Sequence, residues 1–201
     1  MSDTKESILL AALRLFARDG FEATSVSTIA GALGITKGAL YRHYWNKRDI
    51  FDSIVARMER QDAESAAAFS LPEGTLQEMP DEYRRASVNS LVDFSRAQFR
   101  YWTEDGFASS FRKMLTLEQY RSEEMMRLYQ QYLAAGPLGY TADLFRSLGY
   151  EQPEKKAAAF YAPMFLLYSV YDGAQSKSAV TAEIDEYLES VRCRMLREKP
   201  E

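Results

Sequence analysis

Apolar residues recur at helical spacing, i, i+3, i+4 and i+7, along most of this chain, and no run of four or more alternating β-branched residues interrupts them. The pattern predicts an all-α fold of about nine helices. The first begins near Asp3, where Asp3 and Glu6 have capping-box spacing, carries the stripe Ile8, Leu9, Ala12, Leu13, Phe16 and Ala17, and ends at Asp19-Gly20. A short second helix follows the cap residue Ser25, buries Val26, Ile29, Ala30 and Leu33, and stops at Gly34. Thr36 caps a third over 37–44, and Asn46 caps a fourth with the stripe Ile50, Phe51, Ile54, Val55 and Met58. Residues 70–80, with Pro72, Gly74 and Pro80, read as a loop. Beyond it the pattern predicts a long helix over 81–104, a short one near 107–115 and a long one over 121–148 kinked at Gly136-Pro137. Two more follow, over 154–172 and 182–197.

That loop divides the chain into an N-terminal three-helix module (1–50), a linking fourth helix (about 46–70) and a C-terminal helical module (71–201). With 201 residues, 46% hydrophobic and 27% charged, the chain is long and apolar enough to bury a core, which argues against disorder. Charge separates the two ends. Residues 1–50 hold 7 basic and 5 acidic side chains, the remainder 18 and 24, and residues 36–48 hold Lys37, Arg42, Lys47 and Arg48 with no acid. One local basic segment on an acidic protein suits a confined polyanion contact, although a solvated helix face has the same composition.

Single residues exclude several chemistries. One cysteine, Cys193, allows no internal disulfide, and one histidine, His43, leaves no Cys/His metal cluster. A Ser-His or Cys-His nucleophile would have to use His43. There is no glycine-rich phosphate loop and no evident carboxylate pair in an apolar setting, so neither cofactor, metal nor enzymatic activity is expected. The longest apolar run, 157–168, contains Pro163 and is too short to span a bilayer, and residues 1–6 lack the pattern of a secretory signal; a cytoplasmic protein without membrane segments is expected.

Two short helices joined by a tight glycine-containing turn, the second rich in Lys, Arg, Tyr and Thr, is the layout of a helix-turn-helix, whose second helix enters the major groove of DNA. On that reading Ser25 and Thr36 offer hydroxyls beside helix N-termini, while Lys37, Tyr41, His43 and Lys47 reach phosphates. Gly38 allows close approach and Ala39 leaves room for a thymine methyl. Arg42 reads guanine, with a phosphate as the alternative contact. Spacing alone leaves a protein-interaction hairpin equally open.

The residues themselves go further. Ile29-Ala30, Gly34-Ile35-Thr36-Lys37-Gly38, Leu40-Tyr41, His43-Tyr44, Lys47 and Ile50-Phe51, preceded by Phe16, Gly20-Phe21 and Ala23-Thr24-Ser25, resemble the DNA-binding signature of the tetracycline-repressor (TetR) family. The resemblance covers about residues 4–58. Tyr44 stands where that family usually has Phe, Leu33 where Ala is common, and Trp45 where a small or basic residue is usual; Trp45 is expected to cover the start of the fourth helix. The resemblance implies a homodimer on a roughly palindromic double-stranded DNA operator, and a C-terminal domain that releases DNA when a small molecule binds.

Residues 94–171 are dense in aromatics and methionine, more than stability alone would favour. With the resemblance, this marks Tyr101, Trp102, Phe111, Tyr129, Tyr132, Phe165 and Tyr168 as lining for an apolar or aromatic effector. The last two helices resemble the family's dimerisation pair, with Phe160, Met164, Leu167, Tyr187, Leu188 and Val191 as interface residues. The competing readings are an all-helical enzyme or small-molecule carrier with an incidental hairpin, and a helical adaptor.

Overall fold

The computed structural model describes residues 2–72 and 74–198, and among them only helices occur as regular elements. They are α1 (Ser2–Asp19), α2 (Val26–Ala32), α3 (Lys37–Leu40), α4 (Lys47–Ala68), α5 (Pro80–Arg85), α6 (Val88–Glu104), α7 (Gly106–Glu118), α8 (Glu123–Leu133), α9 (Ala135–Ser147), α10 (Pro153–Gly173) and α11 (Lys177–Glu198). The all-α expectation holds, with eleven helices in place of about nine. The capping-box pairing expected of Asp3 lies outside the described side chains.

The extra helices come from breaks that apolar periodicity does not register. The single helix expected over 81–104 is α5 and α6: Ala86 is extended at φ −62°, ψ 151°, and Ser87 Oγ caps α6 by accepting the Ser90 N–H at 3.0 Å. The helix expected over 121–148 breaks at Ala134 (φ −128°, ψ −95°) rather than kinking at Gly136-Pro137. A proline in the helix interior clashes with the carbonyl four residues back, so restarting at Ala135 puts Pro137 in a first turn, where it is tolerated. At α3, regular helix ends at Leu40, and the chain continues to Tyr44 through tight bonds such as His43 N–H to Leu40 O at 2.9 Å.

The chain forms two compact units, Met1–Gln61 with Gly106–Tyr129, and Asp62–Asp105 with Gln130–Glu201. In the first, α1 packs along both α2 and α7, burying Ile8, Ala12, Phe16, Phe107, Phe111 and Met114. Residues 106–129 thus join the N-terminal helices, whereas hydropathy alone groups them with 71–201. In the second unit α10 packs on α9, α11 and α6, and α11 on α6.

The tyrosine content has a structural use here. Pro163 has no N–H for the Ala159 carbonyl of α10, and the Tyr187 hydroxyl of α11 donates to Ala159 O and Phe160 O at 3.0 and 2.9 Å. Pro137 likewise leaves the Leu133 carbonyl at the end of α8, which accepts from Tyr161 Oη at 2.9 Å. Tyr83, Tyr140 and Tyr150 donate to the carbonyls of Gly74, Pro72 and Met195. Each phenol satisfies a carbonyl that helical hydrogen bonding leaves over.

Candidate nucleic-acid interface

Local chemistry builds the α2–α3 corner residue by residue. Ser25 Oγ accepts the Thr28 N–H at 3.1 Å and starts α2, whose inner face buries Ile29 and Ala30 while Val26 and Leu33 stay half-buried. Gly34, at φ +65°, turns the chain out of α2, and the Ile35 N–H closes the turn on Ala30 O at 3.0 Å. This is the left-handed position that glycine takes without strain. Thr36 Oγ1 then accepts the Ala39 N–H at 3.1 Å, starting α3, and Leu40 anchors it in the core. Asn46 Oδ1 accepts the Asp49 N–H at 2.9 Å, and Asp49 Oδ2 accepts the Trp45 N–H at 2.8 Å, a reciprocal cap on α4.

The result is a solvent-facing strip. Ser25, Thr36, Lys37, Gly38, Tyr41 and Arg42 are exposed, and Ala39 and His43 are half-buried. Both capping hydroxyls accept from their own helices; the Ser25 hydroxyl also lies 2.9 Å from Thr28 Oγ1. A Cβ on Gly38 would meet only Thr36 Oγ1, at 3.9 Å, so nothing in the chain's own packing requires glycine there. Lys47 is engaged elsewhere: its ammonium donates to Phe21 O at 2.6 Å and Glu22 O at 3.3 Å and sits 4.2 Å from the centre of the Phe21 ring. Trp45 departs from expectation. It is 88% exposed, so its backbone, not its ring, serves α4.

Two acids from the α7–α8 corner hold this module in ways periodicity does not reveal. Glu118, 2% exposed, accepts the Phe21 N–H at 3.2 Å and lies 3.6 Å from the Arg121 guanidinium. Gly20, at φ +91°, passes so close that a Cβ would sit 2.6 Å from Glu118 Oε1. Glu124 takes both arms of Arg48 at 2.7 and 2.6 Å, which holds its carboxyl below the usual range and raises the guanidinium further. Tyr44 packs inside the module and donates to Lys5 O, with burial pushing its phenol up to about 12. Among the described residues no group of three or more His, Cys, Asp or Glu is placed to hold a metal ion.

The bacterial regulatory proteins, tetR family, match residues 8–54, the span from α1 through the corner into α4. The transcriptional regulator AcrR of Shigella flexneri is 46% identical over 52 residues, 26% of this chain and 24% of that protein. The transcriptional repressor BepR of Brucella suis biovar 1 is 43% identical over 56 residues, 28% of this chain and 27% of that protein. Residues 8–54 place the N-terminal module with the DNA-binding segment of the TetR family. Its match spans only about a quarter of either relative. Across 94% of the chain the fold is similar to that of the SmeT–triclosan complex, at TM-score 0.62 and 18% identity, covering 91% of that structure. The family and these relatives are transcription regulators, not enzymes. Among the described residues no helix is long and apolar enough to cross a membrane.

The residues expected around an effector do not form one set. Tyr101, Trp102 and Tyr132 come together, with ring centres 5.7 Å apart for the first pair and 6.5 Å for the second. Tyr168 stacks on Phe99 at 5.3 Å. Phe111 stacks on Phe107 inside the N-terminal unit, and Tyr129 belongs to that unit as well, while Phe165 faces solvent on α10. Of the residues expected at a dimer interface, Phe160, Met164, Leu167, Leu188 and Val191 are buried in the core of their own unit, and Tyr187 is spent on the Pro163 break. The apolar side chains α10 leaves in solvent are Ala158, Ala159, Ala162, Phe165, Leu166 and Val170.

Proposed function

We propose that this chain is a DNA-binding transcription regulator of the TetR family, acting in the cytoplasm as a homodimeric repressor on a roughly palindromic operator. The observation that carries the reading is the exposed strip on and beside α3, which carries Lys37, Tyr41 and Arg42 and no acid, held by capped helices and the Gly34 turn. A recognition helix must present base- and phosphate-contacting groups on a rigid support. The named repressor among the relatives supports the sign of regulation. Fluorescence anisotropy on operator-length duplexes, selected from random sequence, tests it: tight binding with a steep salt dependence is expected, and affinity that ignores salt would refute it. Arg42→Ala should cost about 1–3 kcal/mol at one base position if it reads guanine, and weaken all sequences equally if it holds a phosphate.

Dimerisation belongs to the same reading, because two recognition helices on a palindromic operator would meet successive major grooves about 34–36 Å apart. The partner surface we assign is the exposed apolar side of α10, Ala162, Phe165, Leu166 and Val170. A small molecule bound in the helices beyond Gln61 releases DNA by linkage, since it shifts operator affinity only through unequal affinity for the two conformations. The triclosan bound by the structural relative SmeT supports a small-molecule role for this fold.

A further inference from the structure

The outward row of the α2–α3 corner does not stop where regular helix ends. Beyond Leu40 the turns stay tight, with the Tyr41 N–H on Lys37 O at 2.9 Å and the Tyr44 N–H on Leu40 O at 3.2 Å. Leu40 and Tyr44, four apart, are buried, whereas Lys37, Gly38, Tyr41, Arg42 and Trp45 recur three and four apart and are all exposed.

Trp45 ends that row from a fixed backbone position. Asp49 Oδ2 holds its N–H at 2.8 Å, the buried Tyr44 before it donates to Lys5 O, and Asn46 after it caps α4. The ring takes no part in this support. An apolar residue just before a helix cap commonly packs on the residue four positions into the helix, here Ile50. Ile50 is fully buried without it, and Trp45 is left 88% exposed.

The other donors around this junction are spent. The Lys47 ammonium is on Phe21 O and Glu22 O, and the Arg48 guanidinium is shared between Glu124 and Asp52. The backbone N–H groups of Trp45 and Asp49 are taken by the cap on α4. The Trp45 indole N–H has no acceptor among the described residues. It remains as a neutral donor at the rim of a segment, 36–48, that carries Lys37 and Arg42 in solvent and no acid.

We propose that Trp45 is a further DNA contact of this chain: its indole N–H donates to a phosphate, and its ring lies against the adjoining deoxyribose. The inference rests on the DNA-binding reading above and adds a contact of a different physical kind. The first residues of a recognition helix face base edges, and Trp45 lies past Leu40, the last regular residue of α3, where backbone contacts belong. A cation on a phosphate releases counterions and makes affinity salt-dependent, whereas a neutral N–H adds affinity without that release. An indole suits the task, with an apolar body for the sugar and a donor at its edge.

Fluorescence anisotropy across a salt series, on the operator selected as above and on a scrambled duplex, tests it with W45A, W45F and W45K. W45A should weaken binding to both duplexes alike, by about tenfold, with the salt slope unchanged. W45F, which keeps a ring and loses the donor, should fall between W45A and the unaltered protein. W45K should regain affinity at low salt with a slope steeper by about one. In the unaltered protein, the part of the indole emission that W45F removes should be open to acrylamide without DNA and shielded with it. Melting temperatures should stay level throughout, because the ring supports nothing in the fold. W45A binding as tightly as the unaltered protein, a loss confined to the operator, or emission still open to acrylamide in the complex overturns the proposal. So does a smaller assembly of W45A by light scattering without DNA, which would give the ring a protein partner instead. An unaltered protein that binds no duplex removes the DNA-binding reading and this contact together; one that binds with a steep salt slope while W45A matches it removes the contact alone.

Discussion

Lys47 shows how a side chain's partners decide what it offers to DNA. Sequence places a lysine just after the recognition helix, where a phosphate contact is the natural expectation, but the ammonium is already shared between Phe21 O, Glu22 O and the Phe21 ring. Lys47→Ala should therefore act mainly on the folded module, lowering its stability by about 1 kcal/mol, and leave the salt dependence of DNA binding nearly unchanged. Lys37→Ala, whose side chain is exposed, should do the reverse, reducing the slope by about one with little change in melting temperature. Asp62 gives a prediction of opposite electrostatic sign. Burial raises its carboxyl pKa in the folded state, so between the unfolded value, about 3.9, and that raised value the native protein holds more protons than the unfolded chain. Stability contributed by the protonated form is lost as pH rises through that window. D62N should then raise Tm at pH 7, with the gain closing as pH falls toward about 4; a gain independent of pH would show that the charge is not the cause. The exposed candidates on α3 were legible from residue type, and the engagement of Lys47 was not, because its partners are backbone carbonyls 25 and 26 positions away.

At the level of helices, starts were easier to read than interruptions. Ser25, Thr36 and Asn46 announce α2, α3 and α4, since each bonds a backbone N–H three residues on. The break at Ala86 carries the same signal in Ser87, which accepts the Ser90 N–H, but the apolar stripe runs through it and masks it; the break at Ala134 has no side-chain cap and is set by where Pro137 is tolerated. The α10–α11 contact offers a test of how proline and tyrosine cooperate. Tyr187→Phe removes the donor to Ala159 O and should cost about 1 kcal/mol, whereas Pro163→Ala restores an N–H of the helix's own. In the Pro163→Ala background the cost of Tyr187→Phe should shrink clearly, so a double-mutant cycle by urea unfolding should give a coupling of about 0.5 kcal/mol or more. Strict additivity would mean that the phenol does not serve that carbonyl.

For the whole molecule, periodicity identified helices to be buried but not which copy or unit buries them. Leu188 and Val191 have the spacing of an interface stripe, and the fold consumes that stripe internally. Leu166, 63% exposed, is the better probe of assembly. Leu166→Glu should leave helix content intact while light scattering reports monomer and operator affinity falls; Leu188→Glu should instead unfold the unit, because it buries an unpaired charge at a cost of several kcal/mol. If Leu166→Glu stays dimeric, α10 does not carry the interface. The aromatic residues divided for a related reason: density along the sequence does not distinguish rings that meet, such as Trp102 and Tyr132, from rings in separate units, such as Phe111 and Phe165.

The N-terminal unit is discontinuous, and this sets an order on its birth. Glu118 grips the Phe21 N–H across 97 positions, and α7 supplies the cover for α1. On the ribosome, α1 to α4 emerge first with Ile8, Ala12 and Phe16 still short of part of their shell, and they must wait for residues 62–105 to pass before α7 arrives. Loop closure over that length costs little in final stability but delays folding. The segment with the exposed α3 strip is thus translated early and completed late, so a nascent chain stalled before α7 should expose apolar surface to chaperones and bind DNA poorly.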